Sequence, residues 1–181
     1  PAVVETSRKV ITSATTKGND KELPNLNDAT DHCGALDIPL WDDPDEDKGG
    51  ILVCIKSTKW QSRLKALKSL IKFVESRPVL DDCNKIEDDS TCLLLVVKEH
   101  TKKFKESNFN VTKGIMELFV ALCDYHTRSK CRFVNFAAVD GTSLAVDKIA
   151  DRKLSSQSKH LLLTLCTVYP PHDVLTSAFT C

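Results

Sequence analysis

No stretch of this sequence stays apolar long enough to cross a bilayer. The longest strongly apolar run is Cys92–Val97, far short of the ~20 residues a spanning helix needs. No apolar N-terminal segment resembles a signal peptide. Glycine is scarce, with six residues in 181, and none forms a GxGxxG or Walker pattern that could cradle a phosphate. Strand signals are also missing: there is no long alternating run, and no Asn-Gly or Asp-Gly turn lies between β-branched segments. These absences argue against a membrane protein, a nucleotide-binding fold and a β-rich domain. The chain opens on Pro1 rather than Met, which fits a fragment or a processed piece.

Charge is abundant but unevenly placed. The whole chain is formally neutral, yet residues 1–48 hold eleven acidic and five basic side chains while the remainder holds fourteen and twenty. A basic body of this kind favours an acidic partner. Aromatic residues do not interleave with the basic ones as stacking platforms would, so the charge is read as serving a protein partner, with no role for nucleic acid or membrane.

Residues 1–48 are rich in Ser, Thr, Asn, Asp and Pro and close with Asp42-Asp43-Pro44-Asp45-Glu46-Asp47. Such a segment buries too little apolar surface to offset its ordering entropy, and it reads as a mostly disordered acidic linker. Leu36, Ile38, Leu40 and Trp41 form a short apolar patch within it that could dock on the body.

From residue 49 to 181 the pattern turns helical. In Lys59–Glu75 the large apolar residues fall at Trp60, Leu64, Leu67, Leu70, Ile71 and Val74, and Lys59, Arg63, Lys65, Lys68 and Lys72 occupy the other face. This is the spacing of a helix with one buried stripe. A short helix over Ile51–Ser57 precedes it. Further helices are expected over Cys92–Lys105, after a long polar loop at Asp81–Thr91, and over Val111–His126. Another is expected over Phe133–Ile149, interrupted or restarted near Gly141, then Ser156–Val168, and a start at His172–Phe179 after Pro170-Pro171. The helices fall into pairs about 45 residues apart with loops near Thr58, Asn108 and Lys153, the period of HEAT-type repeats. The expected fold is therefore an all-α HEAT-repeat α-solenoid of about three helix pairs, whose intra-pair loops share one edge and offer the binding surface.

The eight cysteines (33, 54, 83, 92, 123, 131, 166 and 181) would suit a secreted disulfide scaffold. Cys92, Cys123 and Cys166, however, sit in apolar helical runs where a thiol serves as a small hydrophobe. A reduced, intracellular, soluble protein is the expectation, and the sequon at Asn110 is then idle. Cys123, His126 and Cys131 lack a convincing fourth ligand for zinc. A Cys–His nucleophile would have no orienting partner. Neither a metal, a cofactor nor an enzyme activity is expected.

Lys59-Trp60-Gln61-Ser62-Arg63-Leu64, the segment Phe104–Val111, Val139-Asp140-Gly141 and Val146-Asp147-Lys148-Ile149 together resemble a TOG domain of the ch-TOG / Mini spindles microtubule polymerase family, most nearly its third, over about residues 50–180. A domain of that family holds six repeats, and this sequence runs only into the fourth. The resemblance implies loops on one edge that contact αβ-tubulin, and with them a role in plus-end growth and in spindle and centrosome assembly. By position the tubulin-contacting residues would be Trp60, with Arg63 close behind, then Asn108 and Phe109, then Arg152 and Lys153. The rival expectation is a HEAT-type scaffold that binds a centrosomal or kinetochore adaptor, or another microtubule-end protein, in place of tubulin. Asn108 has a plainer role open to it as a helix cap, Trp60 as a core or capping indole, and Phe109 as a buried helix start.

Overall fold

The computed structural model describes residues 50–180 apart from 133 and 134, so the expected acidic linker, with its Leu36–Trp41 patch, lies outside the described residues. These residues are all-helical, with no strand among them. The elements are α1 (Gly50–Lys56), α2 (Trp60–Ser76), α3 (Cys83–His100), α4 (Phe109–Arg128), α5 (Asn135–Lys148), α6 (Ser155–Val168) and α7 (Pro171–Thr180). Helices α2, α4 and α6 lie side by side in one row; α1, α5 and α7 pack behind it, and α3 touches α1 and α4. Lys98 of α3 reaches Asp140 of α5 at 2.6 Å, which ties the back elements together.

Helix ends follow local chemistry. Asp82 caps α3, its Oδ1 accepting from the amides of Asn84 and Lys85 at 3.1 and 3.2 Å. Arg77 is extended ahead of Pro78 and closes α2, as the residue before a proline tends to. Pro171 stands at the first position of α7, where its missing N–H costs nothing.

The core runs between the rows through Ile55, Leu67, Leu70, Leu94, Val97, Ile115, Leu118, Phe119, Leu122 and Leu165, all at most 1% exposed. Two glycines allow close approach, Gly114 between neighbours within the front row and Gly141 between the rows. A Cβ on Gly114 would stand 3.2 Å from both Leu64 and Leu67 of α2, and one on Gly141 would stand 3.3 Å from Phe119 and 3.4 Å from Leu165. Gly141 therefore does not break its helix: α5 is continuous through it, and the missing side chain admits α4 and α6.

The polar stretch expected as a loop before Cys92 is instead helical from Cys83. Its buried stripe is Ile86, Asp89, Ser90, Leu93, Leu94 and Val97, a helical period that two polar residues conceal. Asp89 is paired with Arg77, and Ser90 Oγ lies 2.8 Å from His126 Nε2. Helix α3 ends at His100 rather than Lys105. Lys102, Lys103 and Phe104 there take φ of 52°, 57° and 66°, a left-handed turn costly for residues with side chains. The turn is held by Phe104, which is 3% exposed and meets Phe119 edge-on at 5.3 Å.

Cysteine usage departs from the reduced expectation at one pair. Cys83 and Cys131 form a disulfide joining the start of α3 to the chain just beyond α4. Both lie at helix boundaries rather than in apolar runs. Cys54, Cys123 and Cys166 are free thiols. Burial first, and then Asp124, pushes the Cys123 thiol up to about 12, so it stays protonated and inert.

Candidate functional site

Three loops connect the front-row helices to the helices behind, and the structure brings them together. The first, Ser57–Lys59, is a tight turn: Ser57 Oγ accepts from the Lys59 amide at 3.1 Å, and Trp60 follows as the first residue of α2. The indole is half-buried and packs on the core cluster. One turn on, Arg63 points inward. Its Nη1 donates to the Ser57 carbonyl at 2.7 Å, and its Nη2 meets Glu106 at 2.8 Å. With side chains 13% and 4% exposed, this pair is a buried brace between the first loop and the second.

The second loop holds Glu106 in place by binding its backbone neighbours. Glu106 Oε1 accepts from the Ser107 amide at 3.0 Å, and Thr112 Oγ1 donates to the Glu106 carbonyl at 3.1 Å. Asn108 then caps α4, its Oδ1 accepting from Asn110 and Val111 at 3.0 and 3.4 Å. The capping role raised from sequence is therefore present. Phe109 is the first residue of α4 and is 41% exposed; a buried helix-start role for it is corrected by that exposure.

In the third loop, Asp151 Oδ1 accepts from the Lys153 amide at 2.8 Å, a side-chain turn that fixes the chain before α6. Arg152 and Lys153 are both exposed. Lys153 Nζ lies 4.8 Å from the centroid of the Phe109 ring, within cation–π range. The second and third loops thus touch through the Phe109–Lys153 pair, as the first and second do through Arg63–Glu106.

Two contacts therefore join the loops into a ridge at one end of the front row, Arg63–Glu106 between the first and second and Phe109–Lys153 between the second and third. Trp60, Asn108 and Arg152 belong to or directly follow these same loops. Sequence reasoning missed Lys102, Lys103 and Lys105. The left-handed turn buries Phe104 and leaves all three lysines exposed on the second loop. The signal was the Lys-Lys-Phe-Lys run itself, which reads as the basic end of a helix until the turn is seen.

The residues once considered for zinc are otherwise engaged. His126 is fully buried; its Nδ1 donates to the Arg132 carbonyl at 2.9 Å and its Nε2 accepts from Ser90. Burial lowers the imidazole to about 4, against a smaller opposing pull from the Arg132 carbonyl. The Cys131 sulfur is bonded to Cys83. Among the described residues no helix is long and apolar enough to cross a membrane.

No family model matches the chain, and no solved structure does either. The chain is similar to Centrosomal protein 224 of Dictyostelium discoideum, 26% identical over 132 residues. That match covers 71% of this chain and 6% of the other protein, so the chain spans a small fraction of the relative's length.

Proposed function

We propose that the described residues form part of a HEAT-type array of the TOG kind, and that its loop ridge binds αβ-tubulin as the tubulin-capturing module of a microtubule polymerase. The observation that carries the reading is the joining of the three loops: Arg63 meets Glu106, and Lys153 stands over Phe109. One surface thereby presents an aromatic ring, an indole and a set of cations on a rigid base. That composition suits an acidic protein surface with apolar pockets, since cations steer the encounter and aromatics anchor it. The name of the similar Dictyostelium protein places that protein at the centrosome, a setting in keeping with microtubule work.

A gel-filtration shift or co-sedimentation assay with purified tubulin tests the proposal. Replacing Lys153 and Arg152 by Glu, or Phe109 by Ala, should weaken binding by about 1–2 kcal/mol per contact with helicity intact. Trp60→Ala should also weaken it, but the indole packs on the core, so its thermal melt must be recorded alongside. Unchanged tubulin binding in the Arg152/Lys153 and Phe109 variants would sink the proposal.

The half-buried position of Trp60 favours one second reading. An indole that is already packed has less to offer an opposing pocket, and the ridge would then be a scaffold for a centrosomal or kinetochore adaptor. Ridge variants that lose adaptor binding while tubulin never binds would select it.

A further inference from the structure

The front row carries a second feature, separate from the ridge. A cleft of about 300 Å³ opens across α2, α4 and α6, and another of about 400 Å³ continues it along α4 towards Arg128. Glu75, Ala121 and Asp124 line both, so the two form one groove. Its floor is apolar, from Ile71, Val120 and Ala121, and its rim carries the carboxylates Glu75, Glu117 and Asp124, with Gln157 and His160 on the α6 side.

The charge placement is unusual for this molecule. The body has an excess of basic residues, and several of its carboxylates are paired: Glu106 with Arg63, Asp89 with Arg77 and Asp140 with Lys98. Glu117 has a Lys113 neighbour at 3.6 Å and accepts from Gln157 at 3.3 Å. Glu75 and Asp124 have no ion-pair partner among the described residues, although Arg128 closes the far end of the groove and lies over the Tyr125 ring.

We infer that this groove docks a basic amphipathic helix of a partner protein. An apolar occupant alone would strand Glu75 and Asp124 without water or counter-charge, which is costly. A wholly polar occupant would leave the Ile71–Val120–Ala121 floor unused. An apolar stripe flanked by Lys or Arg satisfies both, which is the helix-in-groove mode of recognition. The dimensions agree. From Met116 to Arg128 the groove follows α4 for about 18 Å, and Glu117 and Asp124 are about 10 Å apart along the axis. Two cations seven residues apart on the docked helix have the same separation.

The test uses the whole chain and a synthetic helical peptide about five turns long, built of Leu, Lys and Ala with the leucines on one stripe. A scrambled peptide of identical composition is the control. Fluorescence anisotropy should show saturable binding of the first peptide. The Glu75→Lys/Asp124→Lys variant, both positions being exposed, should bind at least about tenfold more weakly with an unchanged melt. Arg152→Glu/Lys153→Glu, on the ridge, should leave the peptide's affinity unaltered. Equal binding of the scrambled peptide, equal binding by the Glu75/Asp124 variant, or no saturable binding would each overturn the inference. Self-association of the chain that the same variant abolishes would also overturn it, because the occupant would then be a second copy.

Discussion

His126 shows how one residue ties sequence, packing and stability together. Its ring is fully buried and bonded at both nitrogens, to the Arg132 carbonyl and the Ser90 hydroxyl. Burial holds its pKa near about 4, below the usual 6.5. Below pH 6.5 the unfolded chain takes up a proton that the native chain refuses. The stabilisation from keeping this ring neutral is therefore complete above pH 6.5 and is lost as pH falls towards 4. One pKa unit corresponds to about 1.4 kcal/mol, so about 3 kcal/mol should disappear across that window. Urea melts between pH 7.5 and 4.5 should show the loss, and the imidazole resonance of His126 should not move until the lower end. A titration near 6.5 in the folded protein would refute this account. In sequence the same residue raises a zinc site only to lack a convincing fourth ligand, and spacing alone cannot show that both ring nitrogens are already occupied.

At the scale of elements, α3 separates what could be read from what could not. The helices with long, dominantly apolar stripes, α2 and α4, were legible to within a residue or two, even though α4 also buries Thr112 and His126. So was the existence of loops near Thr58, Asn108 and Lys153, because a polar break in a strong period is a local signal. The first half of α3 was not legible, since its stripe includes Asp89 and Ser90, whose partners Arg77 and His126 lie 12 and 36 residues away. A buried polar residue looks like a surface residue until its partner is known. Gly141 misled for a related reason: it marks a close approach between helices, which resembles a helix break in a single chain. The candidate site was legible as a set of loops. The brace beneath it and the left-handed turn that exposes Lys102 and Lys103 depend on tertiary contacts. The Arg77–Asp89 pair gives a direct check. Arg77 also lies over the rings of Phe73 and Tyr125, so Asp89→Ala would leave a desolvated guanidinium and should cost about 3–5 kcal/mol. Replacing both partners by apolar residues of similar size, Arg77→Met with Asp89→Leu, should recover most of that loss in a denaturant melt. No recovery would mean that the ion pair, and not merely the unmatched charge, ties the chain just past α2 to α3.

Over the whole molecule, cations gather on the loops of the ridge, whereas the groove across α2, α4 and α6 holds Glu75 and Asp124 without ion-pair partners among the described residues. If the ridge binds acidic tubulin, its affinity has two parts with different salt responses. The part due to Arg152, Lys153 and the second-loop lysines is long-range, and it should fade as the screening length falls from about 10 Å at 0.1 M salt towards about 3 Å at 1 M. The part due to Phe109 and Trp60 is contact burial and should persist. Wild-type affinity for tubulin should therefore drop steeply with salt and then level off. Arg152→Glu/Lys153→Glu should lower the affinity most at low salt and flatten the slope, whereas Phe109→Ala should lower it by a similar factor at every salt concentration. Association rates should carry most of the charge effect, because steering acts before contact. Surface-immobilised tubulin titrated across that salt range would resolve both. Parallel slopes for the wild type and the Arg152/Lys153 variant would remove the third loop from the interface and leave the shared ridge without its electrostatic half.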